Sequence, residues 1–116
     1  MKLEITQEQA EVIIDALDMY ARIGIGQFEE VFRHRSWRLE PWRSQAREHV
    51  NIAKKIVTGF NSGASNSITN TDEWNMIAYD IQQLLEAETG KNRRPWGKTE
   101  PMQWAKHKLA KIIKEG

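Results

Sequence analysis

Apolar residues recur at intervals of three and four along most of this chain, which is the spacing of amphipathic helices. The pattern predicts four helices: from about Gln7 to about His34, from about Pro41 to Phe60, from Thr71 or Asp72 to Gly90, and from Pro101 to Lys114. Lys2–Thr6 alternates only loosely and predicts at most a short N-terminal β-strand or an extended arm. Because no internal repeat or flexible linker interrupts residues 1–116, we expect a single, mainly α-helical domain with about four helices around one core.

Each predicted helix has an apolar stripe that we expect to face this core. In the first helix the stripe comprises Ala10, Ile13, Ile14, Leu17, Tyr20, Ala21, Gly24, Phe28, Val31 and Phe32. In the second it comprises Ala46, Val50, Ala53, Ile56, Val57 and Phe60. In the third and fourth it comprises Trp74, Ile77, Ala78, Ile81, Leu84, Leu85, Met102, Ala105, Leu109, Ile112 and Ile113.

The ends of two helices are marked by specific residues. Thr6 followed by Gln9 fits a capping box, so the first helix should begin near Gln7. Thr71 or Asp72 is expected to cap the third helix, and Gly90 should end it in a left-handed conformation.

Two glycines, Gly24 and Gly26, stand inside the first helical pattern. Each costs about 1 kcal/mol relative to alanine in a helix, so a structural or functional reason is required. Gly24 lies on the apolar face, which favours close packing against another backbone. Gly26 lies off that face, which favours a bend or contact with a ligand. Whether the pair breaks the helix stays open at this point.

Charge alternates in blocks along the chain although the net charge is only +1. The net charges are −5 for residues 1–30, +5 for 31–60, −5 for 61–90 and +6 for 91–116. Such blocks favour pairing between neighbouring segments or between subunits over one uniform nucleic-acid-binding surface. The alternative is that they are ordinary solvated helix faces.

Several classes of function lack the residues they need. The chain has no cysteine, and His34, His49 and His107 are not at a recognised metal-ligand spacing, so neither a metal site nor a cofactor is expected. Neither a nucleophile elbow nor a phosphate-binding Walker sequence occurs, so we expect a protein that is not an enzyme. The charged N-terminus and the short apolar runs predict no signal peptide and no membrane span, hence a cytoplasmic location.

Two polar loops could hold an anionic ligand. Asn61–Thr71 runs into a helix N-terminus, where free N–H groups attract phosphate, and Asn66 and Ser67 could add donors. The second loop carries Arg93, Arg94 and Trp96, which offer guanidinium groups for phosphate and an indole for a base. The alternatives are arginines paired with the acidic blocks and a tryptophan buried in the core.

The stretch Asp15–Glu30, with its run Arg-Ile-Gly-Ile-Gly-Gln-Phe, resembles the first helix of a group of small bacteriophage proteins. Asn66–Ile68, Asp72–Glu73 and Ala78–Gln83 resemble a second stretch of the same group, in the same order. Together the two stretches cover about a third of the chain, and the resemblance ends after Gly90. The group includes phage anti-Thoeris proteins, which act as sponges for the signals made by TIR-domain immune enzymes.

The resemblance implies a sponge that binds cyclic ADP-ribose isomers, and in some members cyclic oligonucleotides, without cleaving them. It implies a homo-oligomer, a dimer or a hexamer, in the cytoplasm of an infected bacterial host. The matching ligand-binding candidates are Arg22, Gly24, Gly26, Gln27, Phe28, Asn66 and Ser67. The alternative function is a small phage nucleic-acid-binding or protein-inhibiting accessory factor, which would use Arg33–Arg47 or the lysines of the last helix. The particular cyclic nucleotide and the number of subunits stay open.

Overall fold

Three α-helices and two short 3₁₀ helices make up the secondary structure of a computed structural model that describes residues 1–32, 43–90 and 108–113. The helices are α1 (Gln7–Gly24), α2 (Arg43–Thr58) and α3 (Glu73–Thr89), and the 3₁₀ helices are Phe28–Phe32 and Ile68–Asn70. None of the described residues forms a strand, so residues 2–6 are an arm. The prediction of a mainly α-helical fold is confirmed.

The ends of α1 and α3 follow the sequence signals. Thr6 Oγ1 accepts from the Gln9 N–H at 3.2 Å, and Gln9 Oε1 accepts from the Thr6 N–H at 2.8 Å, so the predicted capping box is present. Asp72 caps α3 by accepting from the Asn75 N–H at 2.9 Å. Gly90 ends that helix with φ 77°, as predicted.

The core lies between α1 and α3, which pack along each other. Its fully enclosed apolar side chains are small or branched: Ala10, Ile14, Ala21 and Ala78. Gly24 lies where an added Cβ would overlap the side-chain amide of Asn75, so the glycine lets the end of α1 approach α3 closely. This is the packing role expected for Gly24.

The predicted inner face of α3 is only partly correct. Ala78 is buried, but Trp74 is 72% exposed, and the most enclosed residues of this helix are largely polar. They are Asn75, Asp80, Gln82, Gln83 and Glu86. Small residues on α1 bring the two backbones close, so amide and carboxyl groups of α3 are enclosed. Among them, Gln82 donates to Asp18 of α1 and to Glu86 of α3.

The predicted inner face of α2 is only partly correct, because Ala46, Val50 and Phe60 are partly buried but the other three residues are not. Ile56 and Val57 are 79% and 71% exposed, Ala53 is also exposed, and the fully enclosed side chain is that of Lys54. The helix is oriented by an ion pair between Lys54 and Glu29 of the Phe28–Phe32 helix, against which α2 packs. Tyr20 of α1, also assigned to a core face, is 52% exposed.

The prediction of a last helix is wrong for the part of it that the structure describes. Residues 108–113 have no regular secondary structure, and Ile112 and Ile113 are 39% and 67% exposed. Because most helical stability in proteins comes from packing of an apolar face, the exposure of Ile112 and Ile113 leaves this segment little reason to be helical. The rest of that prediction, residues 101–107 and Lys114, lies outside the described residues.

Candidate functional site

The end of α1 turns the chain back on itself. The Gly26 N–H donates to Ile23 O at 3.0 Å and the Gln27 N–H donates to Arg22 O at 2.8 Å, the two hydrogen bonds of a Schellman motif. Gly26 supplies the required left-handed residue with φ 97°, and an added Cβ would lie 3.1 Å from a ring carbon of Phe60. The glycine pair therefore does break the first helix, and Gly26 makes the bend.

This turn places Gln27 beside Arg22 and creates a polar group that we call the arginine cluster: Asp18, Arg22, Gln27, Glu30 and Ser65. Arg22 Nε donates to Asp18 Oδ1 at 3.0 Å, and Nη1 donates to Gln27 Oε1 at 3.0 Å. Glu30 Oε1 lies 3.8 Å from the same Nη1, so that contact is an ion pair without a short hydrogen bond. The Arg22 side chain is 30% exposed, and Nη2 has no hydrogen-bond partner within the described residues.

The loop between α2 and α3 closes the cluster on one side. Gln27 Nε2 donates to Ser65 Oγ at 3.3 Å, and the Asn66 N–H donates to Ile25 O at 2.8 Å. The side chain of Asn66 stays exposed at this edge, and Ser67 follows it on the surface. Two segments some forty residues apart in sequence therefore meet at the end of α1.

On its inner side the cluster continues into α3. The enclosed Gln82 donates from Nε2 to Asp18 Oδ1 at 3.1 Å and to Glu86 Oε1 at 3.0 Å. Its Oε1 is buried and has no hydrogen-bond partner in the described part of the chain. Asp18 thus joins the exposed guanidinium of Arg22 to the enclosed polar side of α3.

A second ion pair involves Glu29, the residue before Glu30 of the arginine cluster. Lys54 Nζ, with a fully enclosed side chain, donates to Glu29 Oε1 at 2.8 Å, and the Gly63 N–H donates to the same oxygen at 3.5 Å. Burial alone would raise the pKa of Glu29. The hydrogen bond from Lys54, those from two backbone N–H groups and the charge of Lys54 outweigh burial and hold this pKa below its ordinary value. This ion pair holds α2, and the loop between α2 and α3, against the chain that follows the turn at Gly26.

The structure accounts for the other predicted site residues as follows. Phe28 begins the 3₁₀ helix after the turn and is half-buried. At the start of α3, where a phosphate site is predicted, the Asp72 carboxylate accepts one of the N–H groups and adds negative charge that disfavours an anion. Arg93, Arg94 and Trp96 lie outside the described residues.

Sequence reasoning missed the acidic partners of Arg22. Asp18 stands four residues before Arg22, the spacing of an ion pair on one helix face, so its role could have been inferred. Glu30, Gln82, Ser65 and the Glu29–Lys54 pair depend on contacts between separate elements. No local spacing indicates those contacts.

The arginine cluster presents both charged and hydrogen-bonding groups at the surface. It combines the partly exposed guanidinium of Arg22 with the amide of Gln27 and the hydroxyl of Ser65. Phe28, which follows Gln27 in the sequence, has a half-buried side chain. Among the described residues, no group of three or more histidine, aspartate or glutamate side chains is placed to hold a metal ion. Likewise, no helix in the described ranges has the length and apolarity needed to cross a bilayer.

No family model, curated protein or solved structure matches this chain.

Proposed function

We propose that this chain is a non-catalytic binding protein that sequesters a cyclic nucleotide at the arginine cluster. The ligand class is that of cyclic ADP-ribose isomers or cyclic oligonucleotides, and the biological role is that of a phage sponge for immune signals. One observation carries the proposal: the two sequence stretches that resemble the phage group are joined by the hydrogen bonds Asn66–Ile25 and Gln82–Asp18. A shared ligand site requires that proximity.

Arg22 is the group expected to meet the phosphates. Its Nη2 edge has no hydrogen-bond partner within the described residues, and guanidinium binds phosphate through two parallel N–H donors. The carboxylates of Asp18 and Glu30 oppose an anion at this place. Since the Glu30 contact is longer, at 3.8 Å, than the 3.0 Å contact of Asp18, we expect a phosphate to displace Glu30.

The first experiment measures binding and the fate of the ligand. Calorimetric titration with cyclic ADP-ribose isomers and with cyclic oligonucleotides should identify one ligand class. Heating the complex should then release that ligand chemically intact. Recovery of an altered product would show an enzyme instead, and the absence of binding to every cyclic nucleotide would contradict the proposal. A shift of DNA or RNA on a gel, lost at moderate salt, would favour the accessory-factor alternative.

Two substitutions test the assigned site in opposite directions. Arg22→Ala should weaken binding about tenfold or more, because a charge-assisted hydrogen bond is lost. Glu30→Gln should tighten binding about two- to fivefold, because a like charge facing the phosphate is removed. Lys111→Gln, which removes an exposed positive charge elsewhere, should leave binding unchanged. If Glu30→Gln weakens binding and Lys111→Gln behaves as Arg22→Ala does, the ligand is bound by general charge and not by the cluster.

A further inference from the structure

Helix α2 has its three largest exposed apolar residues on its outer side. Ile52, Ile56 and Val57 are 51%, 79% and 71% exposed, whereas Lys54 of the same helix is fully enclosed. We call the three exposed residues, with the exposed Ala53 between them, the α2 stripe. An isolated soluble domain normally has the reverse arrangement, and a contiguous exposed apolar patch marks a contact surface.

Helix α1 also has an outer apolar stripe. Val12, Tyr20 and Ile23 are 68%, 52% and 38% exposed, and together with the exposed Ala16 they lie on one helical face. We call these four residues the α1 stripe. It lies on the side of α1 away from the buried Ala10, Ile14 and Ala21.

The two stripes belong to helices of opposite charge. Helix α1 carries four acidic residues and one basic residue, a net charge of −3. On α2, Lys54 is enclosed and paired with Glu29, and the charged side chains described at its surface are Arg47, Glu48 and Lys55, a net charge of +1. Glu8 and Glu11 lie within one turn of Val12 on α1. On α2, the positive Arg47 and Lys55 and the negative Glu48 line a groove of about 560 Å³ together with Asn51, Ile52 and Ile56.

Within one copy these helices have other main partners: α1 packs along α3, and α2 packs against the Phe28–Phe32 helix. The Oδ1 atom of Asn51, which lines the groove, is buried and lacks a donor within the described ranges.

We propose that a second copy of this chain covers the α2 stripe with its own α1 stripe. The contact is head-to-tail, so each copy uses its α2 stripe on one neighbour and its α1 stripe on the other. It covers both apolar surfaces and brings acidic flanks against basic ones. A symmetric α2–α2 contact would instead leave the α1 stripe exposed. Repeated head-to-tail contacts close into a ring or continue as a filament.

The test uses two complementary variants of the full chain. Val12→Lys places a positive charge in the α1 stripe, and Ile56→Glu places a negative charge in the α2 stripe. Both positions are highly exposed, so the fold should be retained, which circular dichroism verifies. Light scattering after size exclusion should give an assembly for the unaltered chain and a monomer for each variant. An equimolar mixture should give a 1:1 dimer, since the Ile56→Glu copy keeps an intact α1 stripe and the Val12→Lys copy an intact α2 stripe.

Trp74→Glu is the matched control, because Trp74 is a 72% exposed apolar residue of α3 outside both stripes. This variant should assemble like the unaltered chain. The proposal is overturned if the unaltered chain is monomeric at high concentration, or if Val12→Lys stays assembled while Ile56→Glu does not. It is equally overturned if the mixture stays monomeric or if Trp74→Glu disrupts the assembly. No nucleotide is present in these measurements, so their outcome is independent of the proposed ligand.

Discussion

At the scale of single residues, the Glu29–Lys54 pair determines how α2 is oriented. A fully enclosed ammonium group is costly unless a carboxylate is held against it, and Glu29 provides that carboxylate at 2.8 Å. The Glu29 side chain keeps 23% exposure, so the pair is enclosed from the lysine side and open to water from the glutamate side. Removing the carboxylate charge would leave Lys54 enclosed and unpaired.

We therefore expect Glu29→Gln to lower the free energy of unfolding by about 2–3 kcal/mol, somewhat less than for a fully buried pair because Glu29 is partly exposed. Adding Lys54→Met removes the enclosed charge and should restore most of this loss. Urea denaturation of the single and double variants measures both effects. Glu48→Gln, the same substitution at an exposed position of α2, should change stability by no more than about 0.5 kcal/mol. A double variant no more stable than Glu29→Gln would show that the ion pair does not position α2.

The same carboxyl should make stability depend on pH. Its pKa is lowered in the folded protein from the ordinary value of 4.5, so its stabilising contribution is present above pH 4.5 and is lost as the pH falls through the lower folded pKa. The difference in unfolding free energy between the unaltered chain and Glu29→Gln should therefore be constant near neutral pH. It should shrink as the solution becomes more acidic than pH 4.5. A difference that stays constant throughout acid titration would assign the pH dependence to other carboxyls.

At the scale of elements, the contact between α1 and α3 depends on Gly24. An alanine Cβ there would overlap the amide of Asn75, which is 3% exposed and donates to Thr71 Oγ1 at 2.8 Å. Asn75 cannot move aside without losing that hydrogen bond.

Gly24→Ala should consequently destabilise the protein by about 1–2 kcal/mol, although alanine favours a helix by about 1 kcal/mol over glycine. Thermal unfolding of Gly24→Ala, and of the same variant with Asn75→Ala, checks the cause. The second substitution removes the overlapping group, so the penalty of the alanine at 24 should largely disappear in that background. If Gly24→Ala stabilises the chain by its helix propensity, the two helices are not in close contact at this point.

Local signals predicted the helix ends well, because caps are determined by neighbouring residues. Thr6 with Gln9, Asp72 and Gly90 all act where the sequence indicated, and the left-handed Gly26 gives the break that the glycine pair allowed. The inner faces were predicted less well. Periodicity detects an apolar stripe, but it does not determine whether the stripe faces this chain's own core or another surface, and the α2 stripe faces outward.

The candidate site was likewise predicted only in part from the sequence. The resemblance identified Arg22, Gln27 and Asn66, which the turn and the loop bring together. The neutralising contact from Glu30 and the inward link through Gln82 arise from tertiary contacts. One sequence alone shows neither, since each joins elements whose relative placement depends on the whole fold.

At the scale of the whole molecule, the exposed stripes on α1 and α2 make stability depend on protein concentration. An assembly that forms only from folded copies stabilises the folded state by mass action, so the thermal midpoint should rise with concentration. The rise should be smaller in high salt, because the charged flanks of the two stripes are then screened while their apolar centres are not. Differential scanning calorimetry over a hundredfold concentration range measures both effects. In Ile56→Glu the midpoint should be independent of concentration, since that copy can no longer offer its α2 stripe. If the midpoint of the unaltered chain is likewise independent of concentration, the stripes do not contact one another, and the apolar exterior of α2 is covered by a different partner.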